Sequence, residues 1–194
     1  MAAKSVWRRP GCLLVLPGLR TRLVAVDAAL REYGSASAVV AVLLRERGGL
    51  DVLVMERATR ASDPWSGHWS FPGGRRNKEE SLLGAVRREA EEEVGLSLAV
   101  APIGCLPARA PANRPELLVL PFVFTWDGTT EPHASSPEVA SVAWVPIAEL
   151  ARTRGTMTVM FREQERAMPA FVSGRRTIWG FTYRLLEDLL ALVQ

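Results

Sequence analysis

Hydrophobic residues along the chain fall into short runs and into stripes with helical spacing. Two apolar runs rich in β-branched residues, Ser37–Leu44 and Leu50–Glu56, flank a charged turn that ends in Gly48 and Gly49. Apolar runs of this length, separated by a glycine turn, predict a β-hairpin. We therefore expect the globular core to begin near Ser35.

A helical stripe follows in the middle of the chain. Apolar residues begin at Leu83 and recur at spacings of three, four and four positions, which predicts a helix over Glu80–Val94. Gly95 provides a stop signal for this helix. The other predicted helices are Arg20–Tyr33, Ile147–Arg152 and Ile178–Val193.

Three further strands are predicted after the central helix, at Ser97–Cys105, Leu117–Trp126 and Val139–Val145. Between the hairpin and the helix, an irregular segment reaches the loop Phe71–Gly74, which is well placed to contact a ligand. Strands and helices thus occur in mixed order without an internal repeat, and this order favours a layered α/β domain. We expect an N-terminal extension at residues 1–34 and one domain at residues 35–194.

Composition agrees with one ordinary globular domain, since 48% of the 194 residues are hydrophobic and 23% are charged. The net charge of +3 gives no reason to expect a nucleic-acid partner. Only two of the 24 basic residues are lysines, so 22 are arginines. Arginine suits phosphate recognition, although a composition bias of the source genome is the simpler explanation of the excess. Cys12 and Cys105 form no metal-binding motif, which favours a reducing compartment.

The N-terminus carries a weak targeting signal. Its first 26 residues contain five basic residues and no acidic residue. An organellar transit peptide and a plain N-terminal extension both fit this pattern. No apolar run approaches the roughly 20 residues that cross a bilayer, so no membrane span is expected. We expect an intracellular soluble protein of the cytoplasm, or of mitochondria if the source is a eukaryote.

Acidic side chains of the central helix are predicted to share one flank. At about 100° per residue, Glu89, Glu92 and Glu93 project together, whereas Glu91 projects elsewhere. Like charges at this spacing repel, so a bound cation would stabilise the helix, and carboxylates suit Mg²⁺ or Mn²⁺. The simpler alternative is a solvated acidic face that neighbouring arginines balance.

The residues before the helix favour the metal interpretation. A Gly73-Gly74 turn allows backbone amides to approach phosphate oxygens closely. Arg75, Arg76 and Lys78 add positive charge beside it. Together these features predict a site for a metal ion and a phosphate group.

The segment Gly74–Leu96 resembles the Nudix box. It contains Gly, five residues, Glu, seven residues, Arg-Glu-Ala, one residue, Glu-Glu, one residue and Gly-Leu, so every fixed position is filled. The resemblance implies a Nudix fold, which is an α/β/α sandwich with a mixed β-sheet and a loop-helix-loop catalytic motif. It also implies a hydrolase that cleaves the pyrophosphate of a nucleoside diphosphate linked to another moiety.

The same resemblance assigns roles to individual residues. Glu89, Glu92 and Glu93 would bind Mg²⁺ or Mn²⁺, and Arg88 would orient a glutamate through an ion pair. Either Glu92 or Glu138 would accept the proton of the attacking water. The substrate-binding candidates are Arg57, Gly73, Gly74 and Arg75.

Sequences outside the box resemble the Nudix branch that acts on coenzyme A and acyl-coenzyme A. Leu53–Ala58 and Gly67–Gly74 are similar to the two ends of its additional signature. The spacing between these ends is one residue too long, and Ser62 and Trp65 replace an arginine and a histidine. Coenzyme A would yield 3′,5′-ADP and a 4′-phosphopantetheine product.

Other functions remain open at this point. Pro111 lies where a proline is typical of hydrolases acting on ADP-ribose or other nucleoside diphosphate sugars. Cleavage of nucleoside triphosphates and a non-catalytic Nudix module that binds nucleotides are further alternatives. The expected partner is a small nucleotide, with a homodimer possible and with neither nucleic acid nor membrane. Trp65, Trp69 and Phe71 are predicted to pack in the core rather than stack on a base.

Overall fold

The computed structural model describes residues 15–59, 67–126, 128–161, 164–174 and 176–193. The helices in these ranges are α1 (Val15–Arg22), α2 (Val26–Tyr33), α3 (Leu82–Val94), α4 (Ile147–Arg152) and α5 (Gly180–Val193). The first strands are β1 (Ala38–Glu46), β2 (Leu50–Arg57), β3 (Trp69–Ser70), β4 (Gly73–Arg75) and β5 (Gly104–Cys105). The later strands are β6 (Val119–Thr125), β7 (Val139–Pro146), β8 (Arg154–Phe161), β9 (Gln164–Ser173) and β10 (Arg176–Trp179).

A mixed sheet forms the centre of the fold. Its main path is β3-β2-β1-β6-β5, while β4 also pairs with β1 and β7 also pairs with β2. The β1–β6 pair is parallel, whereas β1 runs antiparallel to both β2 and β4. The predicted mixed sheet is therefore confirmed.

Helices cover both faces of this sheet. Successive side chains of a strand point to opposite faces. Accordingly, Val39, Ala41 and Leu43 of β1 pack in one hydrophobic cluster with α3, whereas Val42 and Leu44 pack in another with α5. The resulting α/β/α sandwich confirms the predicted fold class and places α3 and α5 on opposite faces.

Several predicted elements form as expected. The β1–β2 hairpin pairs Leu44 with Val52, and the helix Ile147–Arg152 has the predicted bounds. The C-terminal helix begins at Gly180 rather than Ile178, because residues 176–179 pair with β9.

The prediction of one helix over Arg20–Tyr33 is wrong. The chain leaves α1 after Arg22 and enters α2 at Val26. Between them, the N–H of Val24 donates to the carbonyl oxygen of Cys105 at 3.0 Å, and the N–H of Cys105 donates back at 2.9 Å. This bridge to the sheet edge requires an extended residue, which interrupts the helix.

The predicted strand Ser97–Cys105 is mostly irregular, since only Gly104–Cys105 pairs with β6. Leu96 and Leu98 are nevertheless buried in the cluster beneath α3. Burial of apolar side chains thus occurs here without strand pairing, and the hydrophobic pattern alone does not distinguish the two cases.

A second sheet was not predicted. Strands β8, β9 and β10 form an antiparallel sheet in the order β10-β9-β8. Many β8 and β9 side chains are exposed, so these strands lack the continuous apolar run that identified β1. One end of the sheet reaches the core, since Phe171 of β9 and Ile178 of β10 are buried in the cluster with α5.

The described part of the N-terminal segment packs on the domain. Leu19 and Ala29 are buried in the two hydrophobic clusters. Arg22 also donates a hydrogen bond from Nη1 to the carbonyl oxygen of Leu192. Within the described ranges, no helix has the length and apolar character needed to cross a membrane.

Candidate active site

Helix α3 carries the acidic side chains, and local signals define both of its ends. At the N-cap, the Ser81 hydroxyl accepts a hydrogen bond of 2.9 Å from the N–H of Gly84. At the C-cap, Gly95 adopts a left-handed conformation with φ 69°, and its N–H bonds to Glu91. Serine and glycine favour these positions because a hydroxyl satisfies an exposed N–H and glycine tolerates positive φ. The helix begins at Leu82, two residues after the predicted start.

Arg88 is the centre of an ion-pair network. Its Nε and Nη2 atoms donate to the two carboxylate oxygens of Glu80 at 3.0 and 3.1 Å. Its Nη1 donates to Glu89 at 2.9 Å and to Glu92 at 3.0 Å. A fifth bond joins Nη2 to the carbonyl oxygen of Arg75. The rigid guanidinium therefore connects the loop before α3 to two of the three candidate metal ligands.

Glu93 is the most buried carboxylate of the set, with 7% of its surface exposed. Its Oε2 accepts a hydrogen bond of 2.8 Å from the N–H of Gly73. Burial raises the pKa of Glu93 to about 7, and the charge of Glu89 adds to that effect. A carboxylate in this environment favours the neutral form unless a positive charge compensates it.

Glu89 lies against the bare backbone of Gly74. A Cβ atom added at Gly74 would fall 2.4 Å from the Oε1 atom of Glu89. Burial is the main cause that raises the pKa of Glu89, while its hydrogen bond with Arg88 opposes the rise. Gly73 thus positions the carboxylate of Glu93 by donating a hydrogen bond. Gly74 leaves room for the carboxylate of Glu89 because it has no side chain. The N–H of Gly73 is engaged by Glu93, rather than directed at a phosphate as the sequence suggested.

Glu92 differs from its neighbours because 56% of its side chain is exposed. Glu93 and Glu89 contact Gly73 and Gly74 of β4, and Glu92 is bonded to Arg88 on its own helix. Within the described ranges, however, no three acidic, histidine or cysteine side chains converge closely enough to enclose a metal ion. The hydrogen bonds of Arg88 and Gly73 orient these carboxylates instead.

Arg57 and Glu138 come from distant parts of the chain and lie near Glu93. The positive charge of Arg57 lowers the pKa of Glu93, and the negative charge of Glu138 raises it. The ends of β2 and β7 position them, since Arg57 pairs with Val139 and the N–H of Ala58 donates to the carbonyl oxygen of Glu138 at 2.8 Å. The structure therefore brings both predicted site residues to the carboxylate helix.

A loop that sequence reasoning did not assign to the site closes the end of α3. The N–H groups of His133 and Ser135 donate to the carbonyl oxygens of Val94 and Glu93, each at 3.1 Å. The His133 ring covers Gly95, where an added Cβ would lie 2.3 Å from its Cε1 atom. No local pattern could have revealed this contact, because the two segments are far apart in sequence.

A cavity of about 970 Å³ opens beside the glycines. The candidate substrate residues Arg57, Gly73, Gly74 and Arg75 line it. Its other walls are the loop 111–117, the β8–β9 hairpin and the start of α5. Five arginines and no acidic residue occur among the described residues that line this cavity: Arg57, Arg75, Arg114, Arg166 and Arg184. We call it the arginine-lined cavity.

Aromatic residues near the cavity have different environments. Trp69 and Phe71 are buried in the hydrophobic cluster with α5, as predicted, and both also line the cavity. Trp179 lines the cavity, and its ring makes an edge contact with the His68 ring at 4.9 Å between centroids. The predictions for Ser62 and Trp65 concern positions outside the described residues.

Comparisons with known proteins identify similar sequences. The family model described as NUDIX domain matches residues 34–164. The human protein named mitochondrial coenzyme A diphosphatase NUDT8 is 28% identical over 193 residues, which cover 95% of this chain and 81% of that protein. A Citrobacter koseri protein named uncharacterized Nudix hydrolase NudL is 35% identical over 158 residues, covering 79% of this chain and 80% of that protein.

Solved structures show the same fold. The NUDIX domain of Shewanella oneidensis NrtR, solved with ADP ribose, has a TM-score of 0.54 at 17% identity, covering 88% of this chain and 100% of that chain. A MutT/nudix family protein from Enterococcus faecalis has a TM-score of 0.52 at 19% identity, covering 93% of this chain and 73% of that chain.

Proposed function

Because the chain belongs to the Nudix family and is a pyrophosphohydrolase, we propose that its substrate is coenzyme A or acyl-coenzyme A and that hydrolysis requires Mg²⁺ or Mn²⁺. The products would be 3′,5′-ADP and a 4′-phosphopantetheine derivative. We further propose that the catalytic domain spans residues 35–194, since the start of α5 lines the arginine-lined cavity.

Glu89, Glu92 and Glu93 are the residues that would hold the metal. The donor set fits, because carboxylate oxygens are the ligands that Mg²⁺ and Mn²⁺ prefer. Burial also raises the pKa of both Glu89 and Glu93, as expected for acidic groups whose charge needs a compensating cation. A bound cation would neutralise phosphate charge and increase the acidity of the attacking water.

Arg88 positions this set of carboxylates. Its bonds to Glu80 and to the carbonyl oxygen of Arg75 fix the guanidinium in the loop. Its Nη1 atom then donates to both Glu89 and Glu92 and holds the two carboxylates together. Preorganised charges of this kind spare the enzyme a reorganisation cost during the reaction.

A carboxylate near the attacking water must accept its proton. Glu92 is suited to this role because its side chain is the most exposed of the three ligand candidates. Glu138 is the second candidate, because it lies in the turn before β7 and its charge acts on Glu93. A Glu138→Gln variant that keeps the kcat of the wild type and its pH dependence would assign the proton acceptor to Glu92, whereas loss of the limb of the pH profile that reports the general base would assign it to Glu138.

The arginines that line the cavity support coenzyme A as the substrate. Coenzyme A is a polyanion with a pyrophosphate and a separate phosphate monoester, and the cavity is lined by five arginines and no acidic residue among its described lining. The similarity to NUDT8 over 95% of this chain supports the same substrate class. That relative is named as mitochondrial, which matches the organellar alternative suggested by the basic N-terminus.

Product analysis tests the proposal. The purified full chain would be incubated with Mg²⁺ or Mn²⁺ and coenzyme A, acyl-coenzyme A, ADP-ribose, dinucleoside polyphosphates, NADH or nucleoside triphosphates. We expect 3′,5′-ADP from coenzyme A at a rate well above that of the other substrates. Preferred cleavage of ADP-ribose would overturn the coenzyme A assignment, and Pro111, which lines the cavity, would then support that alternative.

Matched variants test the site. Glu92→Gln and Glu93→Gln are each expected to abolish metal-dependent turnover while the protein remains folded. Glu91→Gln is the control, because Glu91 is exposed on the same helix and has no hydrogen bond to Arg88 among the described contacts. Unchanged turnover in both Glu92→Gln and Glu93→Gln would contradict the metal assignment.

A further inference from the structure

Arginines of the cavity divide into two sets. Arg57 and Arg75 belong to the carboxylate end, since the charge of Arg57 acts on Glu93 and the carbonyl oxygen of Arg75 accepts from Arg88. The other set is Arg114, Arg166 and Arg184, from the loop before β6, from β9 and from α5. These three residues line the same cavity, although the chain brings them from three separate elements.

Arg184 of the second set lies on α5, and β9, which carries Arg166, packs against α5 through Phe171 and Tyr183. Helix α5 packs in one hydrophobic cluster and α3 in the other, on opposite faces of β1. Strand β4 connects the two regions, because Gly73 and Gly74 touch the carboxylates of α3 and also line the cavity. A ligand that reaches from β4 to Arg184 therefore extends from the carboxylate site to the other face of the sheet.

Contacts between the walls hold part of this second set in position. The Arg184 Nη1 atom donates to the carbonyl oxygen of Ala110 at 3.3 Å, which joins α5 to the loop that carries Arg114. Arg109 and Asp188 join the same loop and helix by two bonds of 2.5 and 2.7 Å. These bonds link the loop that carries Arg114 to the helix that carries Arg184.

We propose that Arg114, Arg166 and Arg184 form a second anion subsite, which binds a phosphate monoester on the ribose of the substrate. This subsite is separate from the pyrophosphate site at α3. A phosphate monoester carries a charge of about −1.5 to −2 at neutral pH, and guanidinium groups bind its oxygens through charge-assisted hydrogen bonds. Nucleotides without the monoester lack a group for these arginines.

The inference rests on the proposed function only in placing a nucleotide in the cavity. The feature that the cavity would select is the phosphate monoester on the ribose. Coenzyme A carries a 3′-phosphate there, whereas ADP-ribose and 3′-dephospho-coenzyme A do not. A 2′-phosphate has the same chemistry at a neighbouring position. The test therefore includes both positional isomers.

Equilibrium binding to the full chain without metal provides the first test. Calorimetry would compare 3′,5′-ADP, 2′,5′-ADP and 5′-AMP in a chelator. We expect 3′,5′-ADP to bind about ten- to hundred-fold more tightly than 5′-AMP, the range that one or two charge-assisted hydrogen bonds support. Equal affinities of all three would overturn the subsite, and tighter binding of 2′,5′-ADP would assign it to the 2′-phosphate.

Variants identify the residues responsible. Arg114→Gln, Arg166→Gln and Arg184→Gln should each reduce the preference for 3′,5′-ADP over 5′-AMP, and Arg184→Lys should restore part of it by retaining the charge. Arg31→Gln removes the same charge from an exposed position on α2 that does not line the cavity, and it should retain the preference. A full preference in all three glutamine variants would overturn the assignment.

Measurements of turnover distinguish failure of the proposed subsite from failure of the proposed function. In the wild-type protein, kcat/KM for coenzyme A should exceed that for 3′-dephospho-coenzyme A, and the ratio should fall towards one in the Arg184→Gln variant. Hydrolysis of both compounds at equal efficiency would contradict the subsite while leaving the proposed function intact. Binding selective for 3′,5′-ADP, without hydrolysis of either compound, would support the subsite and contradict the proposed function.

Discussion

The backbone N–H of Gly73 donates a hydrogen bond of 2.8 Å to the Oε2 atom of Glu93, twenty residues further along the chain. Gly73 lies so close to β1 that an added Cβ would fall 2.3 Å from the carbonyl oxygen of Val39, and its φ is 154°. The position thus favours glycine, and the bond couples the main sheet to the candidate metal helix.

Glu93→Gln is expected to stabilise the metal-free protein at pH 8. The pKa of Glu93 is about 7 in the folded protein, compared with a usual value of 4.5. Because the folded state binds this proton more tightly, the stabilisation from the neutral group is present below pH 4.5 and is lost as pH rises through about 7. In a chelator, thermal unfolding should show a variant Tm that is higher by a few degrees at pH 8, with a smaller difference at pH 5.

A bound metal ion should stabilise the wild-type protein more than the Glu93→Gln variant. Adding Mg²⁺ or Mn²⁺ at pH 8 should raise the Tm of the wild-type protein more than that of Glu93→Gln, since only the carboxylate supplies a negative charge. A Glu93→Gln variant that is less stable than wild type in a chelator at pH 8 would contradict the uncompensated buried charge.

Gly74→Ala should disturb Glu89 without unfolding the domain. The added Cβ would lie 2.4 Å from Oε1 of Glu89, so that carboxylate must move. If Glu89 binds metal as proposed, its displacement should lower kcat by about ten- to hundred-fold. Gly49→Ala is the control, because no atom lies within 4 Å of its added Cβ. Equal activity of the two variants would show that the position of Glu89 is unimportant.

Arg88→Lys should lower kcat by about ten-fold or more although the charge is retained. Lysine cannot reproduce the two parallel bonds to Glu80 while also holding Glu89 and Glu92. The metal concentration that gives half-maximal activity should rise as well. Arg87→Lys makes the same chemical change one residue earlier, where the side-chain hydrogen bond found among the described residues is to the carbonyl oxygen of Val100, at 3.5 Å. Equal effects of both variants would contradict a specific role for Arg88.

Asp188→Asn should raise KM several-fold with little change in kcat. The bidentate pair between Arg109 and Asp188 joins the loop 107–117 to α5, and both segments contribute to the arginine-lined cavity. Loss of the pair should loosen the cavity wall but leave the carboxylates of α3 in place. Steady-state kinetics of Asp188→Asn and of the exchanged pair Arg109→Asp with Asp188→Arg would measure this. A lower Tm with an unchanged KM would limit the pair to a structural role.

Local patterns in the sequence were sufficient for the elements near the site. The β1–β2 hairpin, the stripe of α3 and the stop at Gly95 depend on neighbouring residues, since backbone preference and hydrophobic period act over a few positions. The box spacing likewise places Glu89, Glu92 and Glu93 on one flank of a helix, because a helix repeats every 3.6 residues.

Contacts between distant segments were decided only by the tertiary structure. Register in the main sheet brings Arg57 and Glu138 to Glu93, and pairing of β8, β9 and β10 completes the cavity wall that carries Arg166. Such contacts depend on how strands align and which faces pack, and one local pattern is compatible with many alignments. The chemistry of the carboxylate helix can therefore be inferred from its own residues, whereas the shape and charge of the cavity require the folded chain.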